Sequence, residues 1–314
     1  MLLFESPVVT HAASNERASS SPPPHTQPVQ SPPCPLSEVL RRDGFVVIRK
    51  ALPRAVCAAV RADLQAELGE EDPPGGEDGR LNLPLGGDSS AMGALARVVA
   101  DRAPFFTSLL GRDGQLRTLG ALVSLPSAAT QQIHSDMDWV PDTLFATGLV
   151  ALQDVSLEMG PTVLYAGTHT EAFHAARRAY TARVGPQVAV SRDDPLAARA
   201  HAPLAMTLGA GDMVVFDTRV FHHGTRNVTT ARRMLLCFSF LAAGSDRRNI
   251  PGYFQFLATP DIREGQYLVR DLIPPPVRAR RDEPPPLLLS HQAMNAPYWE
   301  GLRELRLRED ARAP

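Results

Sequence analysis

The feature that most constrains the fold is a series of short apolar segments between Leu119 and Leu241. Glycine, proline and aspartate separate them, as in Glu158-Met159-Gly160-Pro161. Several short strands with turns between them are typical of a sandwich or jelly roll. The predicted class is therefore mainly β with flanking helices (α+β). The predicted strands are 119–125, 130–134, 144–153, 162–166, 205–208, 212–217 and 233–241.

The residues before this series predict helices that cover the β core. A short helix to Arg42 precedes an Asp43-Gly44 turn and a β-branched strand over 45–48. Apolar residues four apart predict a helix from about Pro53 to Leu68. Residues 91–101, 104–111 and 170–180 are also predicted as helices, and 181–203 as an insertion. The polar residues 69–90 are interpreted as a surface loop rather than one that crosses an active-site mouth.

Proline marks the ends of the chain. Of 314 residues 29 are proline, and they concentrate near both termini. We predict a disordered Pro/Ser-rich tail over 1–35, one folded domain over 36–272, and a Pro-rich segment with a C-terminal helix over 273–314. The Pro-rich stretches are interpreted as spacers, with binding of a protein partner as the alternative.

Charge and segment composition exclude several partners and compartments. The net charge of −2 gives no field that would collect nucleic acid or anionic membrane. No run approaches the roughly 20 apolar residues of a membrane span, and the N-terminus lacks the pattern of a secretory signal. Three cysteines without paired spacing are interpreted as free thiols in a reducing compartment. The expected localisation is cytoplasmic, with an organelle as the alternative, and the expected partner is a small molecule.

A histidine and an aspartate two residues apart, His134 and Asp136, form the first half of a candidate metal site, and His222 supplies a second imidazole far downstream. Two imidazoles and one carboxylate on one face of a metal, with the other face open, are typical of non-haem Fe(II) oxygenases that bind O2. His223 competes with His222 as the second imidazole, and Asp138 competes with Asp136 as the carboxylate.

Arg233 is the candidate anchor for an acidic co-substrate. A 2-oxo dicarboxylate that chelates iron needs a cation for its distal carboxylate, and arginine binds it with two parallel hydrogen bonds. Arg233 opens the apolar strand 233–241, so that its side chain could point into a barrel. Because strand side chains alternate, Arg232 would then face the other side.

The ordered set of motifs resembles the phytanoyl-CoA dioxygenase family of Fe(II)/2-oxoglutarate oxygenases. The resemblance runs from about Leu36 to Phe240. The motifs that carry it are Asp43-Gly44-Phe45-Val46-Val47-Ile48, His134-Ser135-Asp136, Leu152 through Gly160-Pro161 to Ala166-Gly167-Thr168-His169, and Asp217 through His222, Gly224 and Asn227 to Arg233. The usual Pro-Gly-Ser-His of the family is Ala-Gly-Thr-His here.

The resemblance implies a double-stranded β-helix core, iron held by His134, Asp136 and His222, and 2-oxoglutarate anchored by Arg233. Fungal members of the family also use a glutamine and a threonine that match Gln132 and Thr162. Related halogenases replace the carboxylate ligand. The presence of Asp136 therefore favours hydroxylation or another oxidation, with release of succinate and CO2.

The substrate side is much less constrained by the sequence. Met137, Trp139 and Phe145 follow the metal motif and either line an apolar pocket or belong to the core. A small, hydrophobic organic substrate is preferred. The alternative is a non-catalytic jelly-roll binding or scaffold protein that retains a metal site. A third reading is a cupin-like metal enzyme that does not use 2-oxoglutarate and does not need Arg233.

Overall fold

The structure is a computed structural model that describes residues 34–72, 78–185, 190–198, 201–263 and 267–274. The predicted Pro/Ser-rich tail up to residue 33, and the predicted Pro-rich segment and C-terminal helix beyond residue 274, lie outside the described residues. Within the described ranges, no helix is long and apolar enough to cross a membrane.

Two antiparallel sheets form the core. The larger sheet has the order β1-β7-β4-β9-β3-β2 and the smaller one β6-β5-β8. This is the predicted double-stranded β-helix, or jelly roll, with flanking helices. The strands are β1 (Phe45–Ile48), β2 (Arg80–Pro84), β3 (Gln115–Ser124), β4 (Phe145–Ala151), β5 (Thr162–Tyr165), β6 (Pro203–Ala205), β7 (Met213–Asp217), β8 (His222–Gly224) and β9 (Arg233–Leu241).

The central strand β9 has one face towards the helices and the other towards the interior between the two sheets. Its side chains alternate in direction with the period of two of a β-strand. Phe238 and Phe240 belong to the large apolar cluster on one face. Arg233, Cys237 and Ser239 line a cavity on the other face. The alternation therefore places the predicted anchor arginine inside the barrel.

The helices α1 to α4 cover the outer face of the larger sheet. Their buried residues, among them Leu40, Val60, Leu95 and Phe106, join the same apolar cluster as the outer face of β9. The helices are α1 (Pro35–Asp43), α2 (Arg54–Leu68), α3 (Ser90–Asp101), α4 (Ala103–Leu110), α5 (Glu171–Val184) and α6 (Pro260–Arg263). Short 3-10 helices span Pro195–Ala197, Arg247–Asn249, Gly252–Leu257 and Val269–Leu272.

Three predicted elements differ from the structure. Residues 69–90 are not only a surface loop, because β2 lies within them and pairs with β3 along its whole length. Residues 130–134 form no strand and make only a bridge between His134 and His222. The strand predicted at 205–208 lies earlier, as β6, and the three-residue β8 was not predicted. Segments this short depend on their partners for extended structure more than on their own sequence.

Candidate active site

A single β-bridge places two histidines side by side at the rim of the barrel. The backbone amide of His134 donates to the carbonyl of His222 (3.0 Å), and the amide of His222 donates to the carbonyl of His134 (2.7 Å). Their ring centroids are 4.5 Å apart. The bridge thus brings together two residues that are distant in sequence.

The backbone also fixes which nitrogen of each ring is free. The Nδ1 of His134 is 2.8 Å from the carbonyl oxygen of Gln132, and the Nδ1 of His222 is 2.9 Å from that of Val220. A carbonyl oxygen only accepts hydrogen bonds, so Nδ1 carries the hydrogen in both neutral rings. Each Nε2 therefore keeps a lone pair, as in metal-binding histidines whose other nitrogen donates to a backbone carbonyl.

Asp136 faces both free nitrogens. Its Oδ1 lies 3.8 Å from Nε2 of His134 and 3.6 Å from Nε2 of His222. Two hydrogen bonds hold its backbone. Its amide donates to the carbonyl of Thr218 (2.9 Å), and its carbonyl accepts from the hydroxyl of Tyr253 (2.9 Å). The ligand atoms of the three residues all lie within 4.8 Å of one another, so the group could hold a metal ion.

The competing residues lie elsewhere. His223 points to the opposite side of β8, where it stacks on Tyr165 with ring centroids 5.9 Å apart, and burial lowers its pKa to about 4. Asp138 is turned away towards Nδ1 of His174, 3.9 Å distant. Asn227 is buried and bonds the backbone of its own turn, including the amide of Thr229 (3.1 Å).

A cavity of about 390 Å³ opens beside the three candidate ligands and extends between the two sheets. His134, Asp136, His222, Arg233 and Thr162 all line it. The structure therefore brings five of the six predicted site residues to one place. The sixth, Gln132, has an exposed side chain and contributes only its carbonyl; its neighbour Gln131 lines the cavity instead.

Arg233 is a buried cation that faces the cavity. It is 1% exposed and one guanidinium nitrogen donates to the carbonyl of Gly160, but its Nε has no hydrogen-bond partner within the described ranges. No carboxylate among the described residues pairs with it. Burial, with the nearby charge of Arg80, lowers the pKa of Arg233 to about 9. Such a group is stabilised by an anion in the cavity that it lines.

Gly160 and Gly224 make room for this arrangement. Gly160 has a φ of +70°, which favours glycine, and a Cβ there would lie 2.6 Å from the backbone carbon of Arg226. A Cβ on Gly224, which also lines the cavity, would lie 2.9 Å from Oε1 of Gln131. The loop that carries Gly160 can therefore present its carbonyl to Arg233 only because the side chain is absent.

The outer part of the cavity comes from segments that the sequence did not identify. Strand β2 supplies Asn82, Leu83 and Pro84, and the 3-10 helix Gly252–Leu257 supplies Tyr253, Phe254 and Leu257. The alternation of Leu81 and Leu83 with polar residues was the only local signal for β2. No motif marks the 3-10 helix, and its place at the cavity results from tertiary packing.

Met137, Trp139 and Phe145, which were expected either to line a pocket or to belong to the core, lie in the core or at its edge. Met137 and Phe145 are 3% and 0% exposed and pack with Leu241 and Phe254. Trp139 is half-buried and does not line the cavity. His169 and His174 contact backbone carbonyls of Arg41 and Arg219, as expected of structural histidines.

The comparisons with known proteins agree with the fold. The structure is similar to the non-haem α-ketoglutarate-dependent epimerase SnoN from nogalamycin biosynthesis, with a TM-score of 0.51, 20% identity, and coverage of 71% of this chain and 88% of that one. It is also similar to HygX from Streptomyces hygroscopicus, solved with nickel and 2-oxoglutarate, with a TM-score of 0.51, 17% identity, and coverage of 66% and 85%. At these identities the likeness shows the shared fold.

The sequence itself matches a family over most of the described chain. Curated proteins give no significant match. Residues 40–235, however, match the family described as phytanoyl-CoA dioxygenase (PhyH). This range is more than half of the 314 residues and includes all of the candidate ligands and Arg233. The chain therefore belongs to the phytanoyl-CoA dioxygenase (PhyH) family, whose members are 2-oxoglutarate-dependent oxygenases.

Proposed function

We propose that the protein is an Fe(II)/2-oxoglutarate-dependent oxygenase that hydroxylates a small, uncharged organic molecule. One observation carries the proposal. A two-histidine, one-carboxylate group and an unpaired buried arginine line the same cavity. A binding protein or scaffold needs neither the metal-binding group nor a cation kept without a counter-charge at a cost in stability.

The donor set fits Fe(II). His134 and His222 would bind through Nε2 and Asp136 through a carboxylate oxygen, which is the ligand set of non-haem Fe(II) oxygenases. Bound there with 2-oxoglutarate, the iron supplies the reduction of O2 that is coupled to formation of succinate and CO2 and to oxidation of a C–H bond. The carbonyls of Gln132 and Val220 keep both rings in the binding tautomer.

Arg233 would bind the distal carboxylate of 2-oxoglutarate. The guanidinium is already oriented by its hydrogen bond to the carbonyl of Gly160, and Thr162 lines the same cavity. A fork of N–H donors that is held in place loses little freedom when a carboxylate binds. The co-substrate is an expectation from family membership, and the unpaired charge of Arg233 supports it independently.

The remaining cavity lining supports an uncharged substrate. Apart from the candidate ligands and Arg233, the cavity is lined by neutral side chains. Leu83, Pro84 and Leu257 offer apolar surface, while Asn82 and Tyr253 offer hydrogen bonds. A substrate of mixed polarity fits this lining, because a buried charge without a partner would be costly. The preference for a small hydrophobic substrate is thereby widened to small neutral molecules of mixed polarity.

Residues of the 3-10 helix Gly252–Leu257 would orient the substrate and exclude water. Tyr253 stacks on Phe254 with ring centroids 4.4 Å apart, and Phe254 packs edge-on against Phe145 at 4.7 Å. Together they form an aromatic wall that reaches from the core to the cavity. Fixing the substrate beside the metal and keeping water out are what the protein adds to the chemistry of the cofactor.

The test is iron content and succinate release after anaerobic reconstitution with Fe(II). We expect about one iron per chain in the wild-type protein, and succinate formation that a substrate from a panel of neutral small molecules stimulates. His222→Ala should lose the iron. His223→Ala is the matched control, since its ring lies outside the group, and should retain it.

Each rival reading predicts a different result. Iron binding with activity that survives Arg233→Met would support the cupin-like enzyme that does not use 2-oxoglutarate. No iron binding in the wild-type protein would support the scaffold. Iron loss in both histidine variants would contradict the assignment of His222 as the ligand.

A further inference from the structure

Three further arginines, for which the described part of the chain offers no carboxylate partner, lie on the far side of the aromatic wall. Arg117, Arg247 and Arg263 line a small cavity of about 50 Å³, together with Ile250, Pro251 and Phe254. Phe254 also lines the large cavity, so one ring separates the two. None of these arginines belongs to the proposed metal and 2-oxoglutarate site.

Arg117 is the partly buried member of this arginine cluster. It lies on β3 where the register against β9 shifts between Leu116 and Thr118, a bulge that redirects the side chain. Its Nη1 is buried and has no hydrogen-bond partner among the residues that the structure describes. Burial and the neighbouring charge of Arg247 both lower the pKa of Arg117. Arg117 is therefore a partly buried cation whose charge and hydrogen-bonding capacity are not fully met by the described residues.

The other two arginines add charge rather than neutralise it. Arg247 is exposed, and its Nε donates to Oε1 of Gln115 (2.8 Å). Arg263 is also exposed and donates to the carbonyl of Ala258 (3.1 Å). Both acceptors are neutral. Among the described residues, no salt bridge reaches any of the three arginines. The nearby acid Asp246 is paired with Arg248 at 2.6 Å.

We propose that this arginine cluster binds the phosphate or diphosphate group of a small-molecule ligand. Planar guanidinium groups bind phosphate oxygens with paired hydrogen bonds, and an anion between them would remove their mutual repulsion. It would also give the buried Nη1 of Arg117 an acceptor. The cavity has room for one such group, so the rest of a larger ligand stays outside it.

The test uses the metal-free, full-length protein and inorganic pyrophosphate, so that it does not depend on the proposed oxygenase activity. We expect pyrophosphate to raise the unfolding midpoint in a concentration-dependent way. Sodium chloride at the same ionic strength should not. Titration calorimetry should give an affinity that falls at least tenfold in Arg117→Met and in Arg247→Gln.

Two controls keep the test decisive. Arg97→Gln removes an exposed arginine that is already paired with Asp101 and should bind pyrophosphate like the wild type. Arg117→Met should be as stable as the wild type without ligand, because it removes an unsatisfied cation. Equal affinities in wild type and Arg117→Met, or a shift that chloride reproduces, would overturn the proposal.

Discussion

Arg177 and Arg233 are both buried, but only Arg177 has a carboxylate partner among the described residues. Arg177 on α5 forms an ion pair with Asp194 at 2.6 Å, and the two side chains are 2% and 0% exposed. Its guanidinium also lies over the ring of Tyr180, 5.1 Å from the centroid. Arg233 on β9 has the carbonyl of Gly160 and no carboxylate among the described residues. The described residues therefore neutralise the charge of Arg177 but not that of Arg233.

The difference separates a structural arginine from a ligand-binding one. A buried ion pair with hydrogen bonds is complete within the protein, and removing one partner leaves the other charge uncompensated. A buried cation that faces a cavity is completed only by an anion from solution. The charge of Arg177 is therefore expected to contribute to folding, and the charge of Arg233 to binding. Four substitutions test this division.

The largest expected effect is on stability, in Arg177→Met. This change leaves Asp194 charged and buried, and should lower the free energy of unfolding by about 3–5 kcal/mol. Urea denaturation monitored by circular dichroism measures it. A loss below about 1 kcal/mol would mean that the ion pair contributes little to stability. Arg177 would then differ from Arg233 in its contacts but not in its energetic role.

Arg233→Met should show the opposite pattern. Burial lowers its pKa to about 9, so the charged side chain is less stable in the folded chain than in the unfolded one, and removing the charge should not lower stability. The affinity for 2-oxoglutarate should fall by about 2–3 kcal/mol, on the order of 30- to 150-fold. Calorimetric titration of the metal-loaded protein checks this. Unchanged affinity would remove Arg233 from the co-substrate site.

Gly160→Ala tests whether the carbonyl of Gly160 orients the guanidinium of Arg233. The residue has a φ of +70°, and the added Cβ would lie 2.6 Å from the backbone of Arg226. A non-glycine residue in this conformation costs about 1–3 kcal/mol of stability. The shifted carbonyl should also weaken 2-oxoglutarate binding. Loss of stability with intact affinity would show that the bond from Gly160 does not orient Arg233.

The smallest effect is expected when both partners of the structural pair lose their charge. Arg177→Met combined with Asp194→Asn should recover most of the stability lost in Arg177→Met, leaving a deficit of about 1–2 kcal/mol. The asparagine can still cap the short helix, where Asp194 now accepts from the amide of Leu196 at 3.0 Å. A double variant as unstable as the single one would contradict an electrostatic cause.

The sequence predicted the parts of the molecule that have local signatures. The strands around Val214 and Leu236 are apolar runs bounded by turns, and the PhyH resemblance identified the positions of His134, Asp136, His222 and Arg233. The choice of His222 over His223 rested on the spacing to Asn227 and Arg233 that the family resemblance implies. In the structure the alternation of side chains on β8 turns only the first of the two towards Asp136.

The substrate end of the cavity could not be predicted, because it is made by long-range packing. Strand β2 is short, polar at alternate positions and flanked by glycine-rich residues, so it resembles a loop until it pairs with β3. The 3-10 helix with Tyr253 is held at the cavity by contacts with residues distant in sequence, among them Phe145 and Asp136. Met137 and Phe145, which are close to the metal motif in sequence, turn into the core instead.

The most direct test of the central claim is an anaerobic titration with Fe(II) and 2-oxoglutarate, monitored by the weak visible metal-to-ligand charge-transfer absorption. Wild-type protein should develop the band and saturate near one equivalent of each. Arg233→Met should need far more 2-oxoglutarate to reach the same intensity, while Arg177→Met, studied below its unfolding transition, should titrate like the wild type. No band in iron-loaded wild-type protein, or identical titrations of wild type and Arg233→Met, would contradict the account.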